Sequence, residues 1–223
     1  MLRINSQTNR QMFIAFVALI ISQSPLAKAL VVQVVDKNGT AVPNVVISFP
    51  RLKAKNQTNM ATMDQVDKQF APRVLTIQKN QMVDFPNSDN VRHHVYSFSQ
   101  PKQFEIKLFS GSEAQPMLFK NAGVVVLGCN IHDDIIGYIY VSDGELTIMT
   151  DNMGKAWIDL PDDASSTEIT EVNIWHPQLS AMQTQRITMQ LPSNIKKHSI
   201  TLPFGLDIEK PKIKTGYGKK FGD

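Results

Sequence analysis

FAPRVLTIQKNQMVDFPNSDNVRHHV, residues 70–95, is the stretch from which the fold is read. Leu75 and Ile77 recur at every second position, Lys79-Asn80-Gln81 is a turn signal, Val83 to Pro86 resumes an apolar run, and His93 and His94 follow. A second stretch, FKNAGVVVLGCNIH at 119–132, turns at Asn121-Ala122-Gly123 and runs from Val124 to Leu127 straight into Cys129. A period of two is the side-chain repeat of a β-strand. The same pattern continues outward. Phe104, Ile106 and Leu108 alternate with Glu105 and Lys107; Ala156, Ile158 and Leu160 with Trp157 and Asp159; Ile187, Met189 and Leu191 with Thr188 and Gln190. Asn38-Gly39 and Asp151-Asn152-Met153-Gly154 punctuate these runs as turns, and no window of helical length repeats at 3.6. The expected architecture is all-β, built of sandwiches.

The remaining composition bounds the function. In 223 residues, 42% are hydrophobic and 19% charged, an ordinary globular balance. Arg3, Arg10 and Lys28 lie in the first 29 residues, which hold no acid, so the rest carries 20 basic against 20 acidic residues. Even charge of this kind argues against a nucleic-acid partner. The basic start precedes the apolar run MFIAFVALII, Met12 to Ile21, and then Ala27-Lys28-Ala29. That order is a secretory signal peptide over 1–29, too short to span a bilayer, with cleavage expected before Leu30 and no stable membrane insertion afterwards. The expected location is the periplasm. Five lysines after Leu206, with Pro211 and three glycines, read as a basic flexible tail over 206–223.

Cys129 is the single cysteine, so neither an internal disulfide nor a zinc site of several thiolates is possible. An oxidising compartment leaves such a thiol exposed to oxidation unless it is buried or holds a metal. Cys129 and His132 stand three apart in GCNIHDD, with Asn130 between them and Asp133 beside them, and His93 and His94 lie 36 and 35 residues upstream of Cys129. One thiolate and two imidazoles are what a borderline-soft metal such as copper takes in a near-trigonal plane, with an optional weak axial donor. Strand, turn and strand between them would bring both stretches to one pole of a sandwich.

These two stretches resemble the cupredoxins, the plastocyanin and azurin superfamily, whose framework reads FxPxxlxVxxGdxVxFxNxDxxxHNV and then F…pGxyxxxCxxH. With its flanks the chain is also similar to periplasmic proteins labelled methylamine utilisation proteins. The resemblance implies one copper bound by His93, Cys129 and His132, with His94 at the asparagine position that ties the two ligand loops together. His94 remains the alternative ligand, because adjacent histidines on an extended loop point to opposite sides. The axial position departs from the pattern. Methionine five residues after the last histidine falls on Gly137, and the related CNIHDWM pattern puts it on Ile135, which has no lone pair. The site is then either three-coordinate or completed by Met63, Met117, Asp133 or Asp134, and Met60-x-x-Met63 is a possible Cu(I) pair.

VVQVVDKNGTAVPNVVISF, Val31 to Phe49, and LTIMTDNMGKAWIDLP, Leu146 to Pro161, look alike. Together they resemble a transthyretin-like or carboxypeptidase-regulatory-like sandwich, in which such pieces sit close together. The implied organisation is a cupredoxin unit at 57–142 inserted into an outer sandwich of 30–54 and 143–205, or adjoining it in simple succession with 30–54 as a separate arm. Its implied work is single-electron transfer with an unidentified periplasmic redox partner. Copper storage or delivery, and a structural β-protein with a degenerate site, are the alternatives. No Ser/His/Asp set, second metal cluster or phosphate loop suggests an enzyme.

Overall fold

The computed structural model describes residues 29–112, 114–129, 132–159, 170–192 and 197–206, with 29, 132–134 and 159 given by their backbone alone. The expected leader and basic tail lie outside these ranges, apart from Ala29 and Leu206. Strand β1 is Ala29–Val35 and β2 is Val46–Lys53. Ten strands follow: β3 Ala61–Thr62, β4 Asp64–Val66, β5 Gln69–Ala71, β6 Val74–Gln78, β7 Gln81–Asp84, β8 His93–Ser97, β9 Phe104–Phe109, β10 Met117–Phe119, β11 Gly123–Cys129 and β12 His132–Ser142. The chain then forms β13 Glu145–Met149, β14 Lys155–Asp159, β15 Glu171–Trp175, β16 Arg186–Gln190 and β17 Lys197–Thr201. The protein is an all-β sandwich structure. Among the described residues no helix is long and apolar enough to cross a membrane.

Strands from the two ends of the sequence share one core. β1 pairs with β14 and β17, and β2 pairs with β13 and β15, β16 lying beyond β15. Leu30, Val32, Val34, Ile47, Phe49, Ile158, Ile174 and Ile200 fill the space between these two sheets. The chain leaves this core after β2 and returns next to it as β13, where the Ala54 N–H donates to the Gly144 carbonyl at 3.0 Å. Between those points, sheet β6-β12-β11-β8-β9 and sheet β10-β7-β3 enclose a second core that includes Phe85, Val95, Phe119, Leu127 and Ile139.

The likeness between 31–49 and 146–161 has a structural cause. Asp36 Oδ1 accepts from the N–H groups of Asn38 and Thr40, both at 2.8 Å, while Gly39 takes φ +81°. Asp151 Oδ1 accepts from Met153 and Lys155 at 2.8 and 2.9 Å, with Gly154 at φ +69°. An aspartate closing its own turn, and a glycine free of the Cβ penalty at positive φ, are the same solution used twice. The two turns also touch, since the Val34 N–H donates to the Gly154 carbonyl at 2.7 Å.

Alternation fails where strands are covered on both faces. Val46 to Phe49 and Tyr138 to Val141 are buried without interruption, as expected for strands sandwiched between layers. Tyr138, Tyr140 and Trp175, with Val46, Val74 and Val124, form a third apolar cluster that joins the two cores. The Tyr138 and Tyr140 rings lie 5.4 and 6.1 Å from that of Trp175, and the Arg186 guanidinium lies 4.4 Å over Tyr140. The expected Phe104–Ile106–Leu108 face is also corrected. Leu108 is half exposed and Phe109 is buried instead, because the β8–β9 register shifts between His93 and Val95.

His176, which follows Trp175, is buried and stacked on Phe204 at 5.1 Å, and its Nδ1 accepts from the Gln178 N–H. Burial, aided by the Arg73 charge, lowers its pKa from 6.5 to about 4. The folded chain thus resists a proton that the unfolded chain takes up, so stability is full above about pH 6.5 and falls as pH drops toward 4. At about 1.4 kcal/mol per pH unit the loss is on the order of 3 kcal/mol. Urea unfolding across this window should show a shallower decline for His176→Gln; an identical decline would mean that His176 does not set it.

Candidate metal centre

Three strands meet at the site. Cys129 ends β11, where it pairs with Val95 of β8 and, after a register shift, with His132 at the start of β12. That shift leaves residues 133–135 of β12 without a partner on β11. His93 opens β8, so it belongs to a strand end and not to the extended loop expected for it. Neighbours on a strand face opposite ways. His93 turns inward and is fully buried, while His94 turns outward, where its Nε2 lies 2.9 Å from Glu105 Oε1 and its ring meets Tyr96 edge-on.

His93 Nδ1 lies 3.7 Å from Cys129 Sγ, and Cys129 is itself 3% exposed. That separation can be tested against a metal. Bonds of about 2.3 Å to thiolate and about 2.0–2.1 Å to imidazole, opened to a trigonal angle, put the two donors about 3.7–3.8 Å apart. The pair therefore fits a metal between its two atoms. The same distance lets the thiol act as a weak donor to Nδ1 in the metal-free chain.

The other ring nitrogen is also engaged: His93 Nε2 is 2.7 Å from Asp89 Oδ2. Asp89 Oδ2 further accepts from the Lys68 N–H at 2.9 Å. Burial pushes the Asp89 carboxyl up, but hydrogen bonds from His93 and from the backbone of Lys68 and Asp67 outweigh it and hold the carboxyl below its ordinary value. Asn87, 2% exposed, braces the segment that carries both residues. Its side-chain amide donates to the carbonyls of Val91 and Phe109, both at 2.9 Å, and its Oδ1 accepts from the Asp89 N–H. The ligand spacing that marks His93 and Cys129 does not mark Asp89 or Asn87. Both stand in the quoted FxNxDxxxH pattern, which was the available signal.

The other expected residues fall as follows. Ile135 and Met63 are buried in the same cluster as Cys129, and Met117 packs partly buried against it. Of the possible Met60/Met63 pair, Met60 is 52% exposed and Met63 is fully buried. Asn130 lies outside the described residues, and His132 and Asp133 are placed by backbone alone. Gly137 is closed as an axial position, because a Cβ there would lie 2.6 Å from the Phe70 ring. Among the described residues no group of three His, Cys, Asp or Glu side chains gathers around one point.

No family profile matches the chain, and no curated protein does. Among solved structures it is similar to a copper-containing nitrite reductase from Thermus scotoductus SA-01, with 25% identity, 40% of this chain and 23% of that chain covered, and a TM-score of 0.37. It is also similar to a purple cupredoxin from Nitrosopumilus maritimus, with 21% identity, 37% and 99% coverage and a TM-score of 0.33. A pseudoazurin from Sinorhizobium meliltoi gives 19% identity, 38% and 74% coverage and a TM-score of 0.30. These neighbours are cupredoxins or copper proteins by name, and the chain spans about a quarter of the nitrite reductase.

Packing separates the two axial positions. Gly137→Met must displace Phe70 and should cost about 1–3 kcal/mol, whereas Ile135→Met conserves volume and should cost less than about 1.5 kcal/mol. Urea unfolding of the copper-free variants checks this ranking, and a Gly137→Met chain as stable as the parent would contradict it.

Proposed function

We propose that this chain is a periplasmic protein that binds one copper ion through His93, Cys129 and His132 and passes single electrons, acting as a carrier and not as an enzyme. The observation that carries the reading is the buried 3.7 Å approach of His93 Nδ1 to Cys129 Sγ, with the far ring nitrogen held by Asp89. Bound copper would supply reversible one-electron chemistry between Cu(I) and Cu(II). The chain's own residues supply the rest. β8 and β11 fix the imidazole and the thiolate on a paired sheet, so little rearrangement opposes a change of oxidation state. Burial of Cys129 keeps its sulfur from external oxidants. Leader 1–29 directs export, 57–142 is the copper-binding sandwich, 30–54 with 143–205 forms the sandwich around it, and 206–223 is a basic tail. The periplasmic redox partner is a further protein of unassigned identity.

Adding Cu(II) to the purified secreted chain should give an intense thiolate-to-copper band and a reversible electrochemical wave. Cys129→Ser should abolish the band and leave the fold. His93→Ala should lose copper, while His94→Ala should keep it with an altered spectrum. A band surviving in Cys129→Ser, or equal loss in both histidine variants, would refute the assignment; copper bound without a reversible wave would favour storage.

A further inference from the structure

Metal-binding histidines gain orientation and basicity when the ring nitrogen away from the metal donates to a carboxylate. Asp89 stands where such a group is needed. Its Oδ2 lies 2.7 Å from His93 Nε2, its side chain is 11% exposed and that of His93 is 0% exposed. A neutral imidazole has one N–H and one lone pair. If Nε2 carries the hydrogen toward Asp89, the lone pair is on Nδ1, the atom that faces Cys129 Sγ at 3.7 Å.

Asp89 is itself fixed in place. The Lys68 N–H reaches the same oxygen from the two-residue turn between β4 and β5, where Asp67 and Lys68 take φ +52° and +58°. From the other side Asn87 accepts the Asp89 N–H and ties this segment to Val91 and Phe109. Ser88 adds a third tether, with its Oγ donating to Asp64 Oδ2 at 2.7 Å. The carboxylate is thus held on a braced segment against a fully buried ring, where surrounding protein weakens the screening of its charge.

We infer that Asp89 is a positioning residue of the copper centre: it holds His93 with Nδ1 open toward Cys129, and its negative charge lowers the reduction potential by favouring Cu(II) over Cu(I). This rests on the copper reading above. Two substitutions separate the two effects. Asp89→Asn retains an oxygen that can accept from Nε2 but removes the charge, so copper should stay bound and the potential should rise. Asp89→Ala removes both, and copper affinity should fall about 10–100-fold.

The positioning half is read without copper. In the copper-free parent at pH 8, long-range proton–nitrogen NMR correlations of His93 should show the Nε2–H tautomer, and Asp89→Ala should show a mixture. An Nδ1–H tautomer in the parent would overturn the positioning role, and an unchanged potential in Asp89→Asn would overturn the tuning role. If Asp89→Ala fails to fold, the parent tautomer and the Asn variant still decide. If the parent binds no copper, the copper reading falls, and the tautomer alone decides whether Asp89 orients His93.

Discussion

The pairing of Val95 with Cys129 is the constraint on which the site depends. It joins the strand that opens with His93 to the strand that ends with Cys129, and it does so at the position where both side chains turn into the core. Strand separations of about 4.8 Å and the alternation of side chains then leave little freedom in the distance between the two donors. The register shift after Gly128 brings His132 opposite Cys129 on the next strand, and the shift after His93 lets Phe109 close the core behind the histidine. Two register shifts flank His93 and Cys129, an arrangement common for β-bulges beside functional sites.

The second layer of support comes from the outer strands. The sheet that carries β11 and β12 uses one face for the core around Cys129 and presents Tyr138 and Tyr140 on the other, against Trp175. Sheets packed on both faces lose the freedom to twist or slide, and the strands that carry His93 and Cys129 inherit that rigidity. On the proposed reading, a centre that changes oxidation state without rearrangement would benefit from this, because His93 and Cys129 are held in place by the sheet itself.

Much of this was legible in the sequence, and the omissions have physical reasons. Period-two alternation located the strands, and the Asp-x-x-Gly turns in the two similar segments reappear with matching hydrogen bonds at Asp36 and Asp151. Leu108 was misplaced because a register shift depends on the partner strand, which alternation within one strand does not encode. Val46–Phe49 and Tyr138–Val141 show no alternation because both faces are covered, a property of the assembled layers. Asp89 reads as one more turn residue among Asn87, Ser88 and Asn90 until the fold brings its carboxylate against His93. Gly137 looks like an axial position without its methionine, whereas the Phe70 ring occupies the space a side chain would need.

Copper K-edge X-ray absorption on the copper-loaded chain tests the central claim most directly, because it counts donors by element. One sulfur at thiolate distance together with two imidazole shells is the result the account predicts for Cys129, His93 and His132. A shell of nitrogen and oxygen donors with no sulfur would contradict it, since Cys129 would then lie outside the metal's coordination sphere.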